Sequence, residues 1–131
     1  MEQRKINPWK WQDQYGFSQG IEVSNASRVL YCAGQASVDD QGNPVHVGDM
    51  RKQIEQAFEN LEAVLKASGF SLTNVVRLNY YTTDVDGFLG ASDVVGGRLA
   101  AASCQPSGTL LGISKLAFPG LMIEIEATAV R

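Results

Sequence analysis

The chain has 131 residues, a length typical of one domain. With 44% hydrophobic and 19% charged residues, its composition is that of a folded protein and excludes a disordered one. Its formal net charge is -3 and its basic residues are scattered, which disfavours nucleic-acid binding. We therefore predict a single domain over residues 1–131.

The sequence also limits the compartment and the cofactors. The N-terminus lacks the apolar region of a secretory signal, and no apolar run reaches the ~18 residues of a membrane span. Two cysteines, Cys32 and Cys104, are too few for a disulfide framework and suit a reducing compartment. We expect a cytoplasmic protein that makes no membrane contact. The single histidine, His46, and the two cysteines form no metal-ligand cluster, so we expect no metal and an exposed His46.

The predicted elements begin with two strand-like runs, at residues 18–24 and 28–35. The polar turn between them is typical of a β-hairpin, and a further short strand is expected nearer the N-terminus. The best helix spans residues 49–68, where apolar residues recur every three or four positions. Asp49 suits the N-cap of this helix, and Gly69 suits the position that follows its C-cap.

The second half of the chain alternates in the same way. We predict a strand at 75–82, a helix within 86–102, and strands at 108–115 and 121–130, which gives the order β-β-β-α-β-α-β-β. The second helix contains Gly90, Gly96 and Gly97. Each glycine costs about 1 kcal/mol relative to alanine in a helix interior. Close packing and backbone approach to a ligand both remain open as reasons for them.

The last strand alternates cleanly between two faces. Its apolar face carries Leu121, Ile123, Ile125, Ala127 and Ala129, and Glu124 lies on the other face. Two helices are too few to cover both faces of the sheet, so they should pack on one face only. The face with Glu124 is then left for solvent or for another subunit, and its mixture of apolar and acidic residues favours an oligomer.

The most informative chemistry lies between Cys104 and the C-terminus. Glu124 is able to hold or activate a water as a general base, or it is a rim glutamate with an ordinary surface hydrogen bond. Cys104 is either a reactive thiol or, like most lone cysteines, a packing residue.

Several short motifs point together to one family. They are Gln19-Gly20, Cys32-Ala33-Gly34-Gln35, the helix at 49–69, Pro106 and Ile123-Glu124-Ile125-Glu126-Ala127. In this order and spacing they resemble the RidA/YjgF family, the reactive intermediate imine deaminases, also described as L-PSP endoribonuclease-like. The resemblance covers residues 17–131.

The resemblance implies a chorismate-mutase-like α+β fold, with a mixed sheet and two helices packed on one face. It also implies a homotrimer with small-molecule clefts between subunits, no cofactor, and hydrolysis of 2-imino and 2-enamino acids to keto acids and ammonia. It assigns the water-positioning role to Glu124 and a close approach of the backbone to the ligand at Gly34. Phe17 replaces the family's binding tyrosine, and Ser92 falls near its asparagine.

The largest departure from the family pattern is at Gly108. The resemblance places there an arginine that clamps the substrate carboxylate, a contact that glycine does not make. Arg98 or Arg77 is a candidate replacement from another position. Alternatively, Thr109 and the backbone N–H groups near Gly108 hold a neutral or differently shaped ligand, with Cys104 at the mouth of the cleft.

The leading hypothesis is a hydrolase of a small imine, enamine or related C–N metabolite, with a substrate other than 2-aminoacrylate. The alternative is a non-catalytic trimer that binds or senses a small metabolite. An endoribonuclease is the third hypothesis, and the acidic composition argues against it.

Overall fold

The computed structural model describes residues 1–131 and contains seven strands and three α-helices. The strands are β1 (Glu2–Ile6), β2 (Gly20–Ser24), β3 (Val29–Tyr31), β4 (Gln35–Ala36), β5 (Val75–Thr82), β6 (Leu110–Gly112) and β7 (Ile123–Val130). The helices are α1 (Met50–Ala67), α2 (Val85–Gly90) and α3 (Ser92–Ala101), and short 3-10 turns lie at Trp11–Tyr15 and Leu72–Asn74.

The main sheet is mixed, as predicted. Its strand order is β3-β7-β5-β6, and β4 pairs with β7 on the same edge as β3. Strands β5 and β6 are parallel, and the remaining pairs are antiparallel. Strands β1 and β2 form a separate two-stranded ribbon. The architecture is therefore the α+β fold that the sequence indicates.

The predicted hairpin between residues 18–24 and 28–35 is wrong. Strand β2 pairs with β1, and β3 pairs with β7. The turn that follows β2 does not close a hairpin because the amides of Ser27 and Arg28 both donate to the carbonyl of Arg131, at 2.9 and 2.8 Å. These bonds attach the turn to the end of β7, and the strand after it joins the main sheet.

Helix α1 begins and ends as its sequence predicts. The Asp49 carboxylate accepts a hydrogen bond from the Lys52 amide at 3.0 Å, which satisfies one free N–H of the first turn. Gly69 follows the C-cap with φ of 77°, a left-handed conformation that favours glycine.

The second predicted helix is two helices. Its continuity breaks at Ala91, which ends α2 and precedes α3. Asp84 starts α2 by accepting from the amide of Gly87 at 2.9 Å. The fold therefore has three helices where two were predicted. The predicted strand at 108–115 is also shorter, because regular pairing is limited to β6.

All three helices contribute to one core on one face of the main sheet. Its fully buried side chains include Ile54, Phe58, Leu61 and Leu65 of α1 and Leu78, Ile123 and Ile125 of the sheet. The other face carries Arg77, Asn79 and Tyr81 of β5 beside Glu124 and Glu126 of β7, and we call it the open face. The predicted alternation of the last strand is confirmed. None of the helices has the length and apolar character that a membrane crossing requires.

Gln53 joins α1 to the segment that leads into β7. Its buried amide donates to the carbonyls of His46 and Gly120, at 3.1 and 2.7 Å, and accepts from the amide of Met122 at 2.8 Å. Replacing it with leucine leaves the Gly120 carbonyl and the Met122 amide without a partner, while the His46 carbonyl keeps its bond from the Asp49 amide. We expect Gln53→Leu to lower the free energy of unfolding by about 2 to 4 kcal/mol.

Urea denaturation at a fixed protein concentration measures this loss. Gln56→Leu on the same helix is the matched control, because Gln56 is only half-buried and bonds the side chain of Asn60 alone. It should cost less than about 1 kcal/mol. Equal losses in the two variants would contradict the role of Gln53.

Candidate functional site

A cavity of about 460 Å³ lies between helices α2 and α3 and the edge of the sheet formed by β5 and β6. The segment Tyr15–Phe17 closes one side of it. Five residues singled out from the sequence line this cavity: Phe17, Ser92, Cys104, Gly108 and Thr109. Gly96 lines it too, and a Cβ there would meet no atom within 4 Å. The cavity therefore collects most of the predicted binding residues within one chain.

Gly108 lies against the backbone of the neighbouring strand. A Cβ at this position would stand 1.9 Å from the carbonyl oxygen of Leu78. The contact is held by backbone bonds on either side, from Leu78 N to Ser107 O at 2.9 Å and from Tyr80 N to Thr109 O at 2.8 Å. No side chain fits at this position unless the strand moves.

Glu124 and Gly34 lie elsewhere. Their side of the sheet is opposite to the cavity, because Leu78 and Tyr80 of β5 line the cavity while Glu124 pairs with Tyr81 on the open face. The two residues touch each other: a Cβ on Gly34 would lie 2.0 Å from Oε1 of Glu124. The structure thus brings Glu124 and Gly34 together but does not bring them to the cavity in a single chain.

A hydrogen-bonded group on the open face was missed in the sequence analysis. The hydroxyl of Tyr81 and the side-chain amide of Asn79 both donate to the carboxylate of Glu126, Asn79 at 3.1 Å. The hydrogen bond from Tyr81 and, to a smaller extent, that from Asn79 lower the pKa of Glu126. The bond to Glu126 also raises the pKa of Tyr81. The alternation of β5 puts Asn79 and Tyr81 on the open face, but the sequence does not give the register that sets them against Glu126.

The two arginines considered as replacements for a clamp do not line the cavity. Arg98 is paired with Glu59 at 3.5 Å and with Glu62 at 2.8 Å. Arg77 lies on the open face beside Glu126, in a smaller cleft of about 270 Å³. A third cation was missed: Lys5 of β1 donates to the side-chain oxygen of Gln105 at 2.7 Å, next to the cavity.

Cys104 is buried, and its thiol contacts the carbonyl of Val75 at 3.6 Å. Burial raises the pKa of Cys104 to about 11, and it raises the pKa of Cys32 as well. These surroundings favour the packing interpretation of both cysteines over the reactive one. His46 is exposed, as predicted, and no group of three metal-ligating side chains lies close together.

The chain is similar in sequence and in structure to known proteins. The family model described as Endoribonuclease L-PSP matches residues 12–131. A RutC family protein of Pyrococcus horikoshii is 30% identical over 115 residues, which cover 88% of this chain and 86% of the relative. A protein of Dermatophagoides farinae named 2-iminobutanoate/2-iminopropanoate deaminase is 29% identical over 114 residues, with 87% and 84% covered. The crystal structure of the Rid family protein YyfB of Yersinia pestis, described as of unknown function, superposes with a TM-score of 0.87 at 32% identity. It covers all of both chains.

The raised pKa of Cys104 predicts low thiol reactivity. A pKa near 11 instead of 9 reduces the thiolate fraction at pH 8 by about 100-fold, and burial slows access further. We therefore expect a Cys32→Ser variant, which leaves only Cys104, to react with iodoacetamide at least ~100-fold more slowly when folded than in urea. The rate should keep rising with pH toward 11 because the raised pKa keeps the thiol protonated below that value. Mass spectrometry of timed samples measures it, and a rate that levels off near pH 8 would contradict the prediction.

Proposed function

Because the chain belongs to the endoribonuclease L-PSP family, which includes the RidA/YjgF proteins, we propose that it is a hydrolase of a small imine or enamine. In this proposal the reaction takes place in clefts between the subunits of a homotrimer and releases ammonia and a carbonyl compound. Two relatives named as 2-iminobutanoate/2-iminopropanoate deaminases support the reaction class.

The observation that carries the proposal is the division of the predicted site between two sides of the sheet. Phe17, Ser92 and Gly108 line the cavity, whereas Glu124 and Gly34 meet on the open face. Neither set is a complete site, since the cavity lacks a carboxylate and Glu124 lacks a cavity. A neighbouring subunit whose open face covers the cavity supplies the missing half, as a cyclic trimer does three times.

Glu124 then handles the water. Its carboxylate takes a proton from the water as the oxygen bonds to the imine carbon and passes it to the nitrogen, which gives a tetrahedral amino alcohol. The carboxylate then takes the proton of the new hydroxyl and passes it to the nitrogen, so the C–N bond breaks and ammonia leaves as the carbonyl forms. Gly34 leaves the carboxylate room, because any side chain there would overlap Oε1 of Glu124.

The proposed substrate is not 2-aminoacrylate. At Gly108 the Leu78 carbonyl occupies the space that a side chain needs, so this position supplies no cation for a substrate carboxylate. Losing a charged bidentate contact forfeits roughly 2 to 3 kcal/mol, or a hundredfold in affinity.

The apolar cavity also favours a second candidate, a trimer that binds a small metabolite without converting it. No acidic or basic side chain lines the cavity, so in this case binding would need nothing from Glu124. Ammonia release distinguishes the two candidates. Only a hydrolase releases ammonia, and it should lose that activity when Glu124 is substituted.

We expect Glu124→Gln to lower kcat at least ~100-fold, since the amide does not accept the proton from water. Ammonia release from a panel of imines and enamines, generated by an amine or amino-acid oxidase, measures the rate. Glu126→Gln is the matched control: its carboxylate lies on the same face two residues on, held by Tyr81 and Asn79. A Glu124→Gln variant with unchanged kcat would remove Glu124 from the mechanism.

Gly34→Ala tests the same role without removing the carboxylate. Its Cβ displaces the flexible end of Glu124, so kcat should fall about 10-fold while stability changes by less than ~1 kcal/mol. The Gly97→Ala control has open space around its Cβ and should keep full activity. In the Glu124→Gln background, Gly34→Ala should have no further effect on kcat.

Subunit mixing tests the shared cleft. Glu124→Gln keeps the cavity, and Gly96→Leu fills the cavity but keeps Glu124, so each variant alone should be inactive. When the two are co-expressed in equal amounts, about one quarter of the clefts in random trimers combine an intact cavity with an intact Glu124. We expect about that share of wild-type ammonia release, with a native mass of three chains. Mixtures no more active than their components would place the site within one protomer.

A further inference from the structure

The cavity contains hydroxyl, thiol and amide groups but no charged side chain. None of its lining residues is Asp, Glu, Lys, Arg or His, and most of its surface comes from apolar side chains such as Phe17, Phe88, Leu99 and Leu110. A site of this volume suits a small organic molecule. We propose that this cavity binds an uncharged, mainly apolar molecule, so that the substrate class is uncharged imines or enamines and not 2-imino acids. That the ligand is a substrate rests on the proposed function. That the ligand is uncharged is argued from the cavity lining alone.

The hydrogen-bonding groups of the cavity support this ligand class. Two of its donors already bond backbone carbonyls. The Ser107 hydroxyl donates to the Val76 carbonyl at 2.7 Å, and the Cys104 thiol donates to the Val75 carbonyl. The hydroxyls of Tyr80 and Ser92 make no hydrogen bond within the protein and remain for a ligand. Two neutral hydroxyls suit the nitrogen or oxygen of an imine, amide or carbonyl, each of which needs one or two partners.

A carboxylate finds less favourable partners there. It would give up water in an apolar cavity without gaining a cation from the lining residues, which is unfavourable by several kcal/mol for an unpaired charge. Burial raises the pKa of Tyr80, so its phenol stays neutral and supplies no charge of either sign.

Two cations offer a rival explanation: Lys5, and the Arg77 that a neighbouring subunit's open face brings to the cavity in the proposed trimer. Arg77 shares that face with Glu124 and Glu126, so the face brings two carboxylates with its cation and does not favour a further carboxylate. Lys5 is exposed, does not line the cavity, and already bonds Gln105. An exposed lysine contributes at most about 1 kcal/mol to an ion pair because water competes for it. This is less than the desolvation of a carboxylate requires, so Lys5 does not convert the cavity into an acid-binding site.

Three pairs of ligands with matched shape test the inference by calorimetry at pH 7.5. They are benzamide and benzoate, phenylacetamide and phenylacetate, and isovaleramide and isovalerate. We expect at least one amide to bind the assembled wild-type protein at least ~10-fold more tightly than its acid. Gly96→Leu should abolish amide binding by filling the cavity, and Gly97→Leu should not, since Gly97 is its neighbour on α3 but does not line the cavity. Both variants replace a helical glycine, which favours folding.

Three results would overturn the inference. The first is binding of no amide up to about 10 mM. The second is equal or tighter binding of the acids, and if Lys5→Gln then weakened that binding, Lys5 would be the anchor. The third is amide binding that survives Gly96→Leu. Binding is measured without turnover, so amides that bind while no imine is hydrolysed would support the inference and count against the proposed hydrolase.

Discussion

Strand β7 lies in the middle of the main sheet, and the two-residue alternation of its side chains determines both the core and the site. Ile123 and Ile125 point into the core and pack beneath α1, so the strand cannot slip by one residue without exposing them. That same register fixes Glu124 and Glu126 on the open face, opposite Tyr81 and Asn79. The position of the candidate water-handling carboxylate is therefore a consequence of core packing.

A second constraint acts on the cavity side. The approach of Gly108 to the Leu78 carbonyl joins the start of β6 to β5, and it also removes the space for a charged side chain at the cavity wall. With Arg98 paired to two glutamates and Arg77 on the opposite face, the protein offers no simple replacement inside the cavity. One backbone contact thus links the local fold to the kind of ligand that the cavity accepts.

The sequence predicted the elements that have a strong internal pattern. Helix α1 was found with its N-cap Asp49, and β7 with its two faces, because periodicity and capping are local signals. The hairpin failed because the alternative partners, β1 for β2 and β7 for β3, lie far from it in the chain or are weakly patterned. The bond between Lys5 and Gln105 was missed for the same reason, since 100 residues separate them. The resemblance supplied the residues of the site, but their division between two faces needed the structure.

Because the candidate site is divided between two faces of the sheet, water handling by Glu124 and ligand choice by the cavity depend on different residues of the proposed enzyme. Glu124 is confined by Gly34 and by the register of β7, so the reacting half of the cleft tolerates little change. The cavity half is built from the ends of α2 and α3 and the loop before β6, where Gly96 leaves open space for other side chains. Substitutions there alter ligand size and polarity without reaching the carboxylate in the same chain. In the proposed trimer, ligand choice and water handling meet only when subunits assemble, so activity would depend on the oligomeric state as directly as on either set of residues.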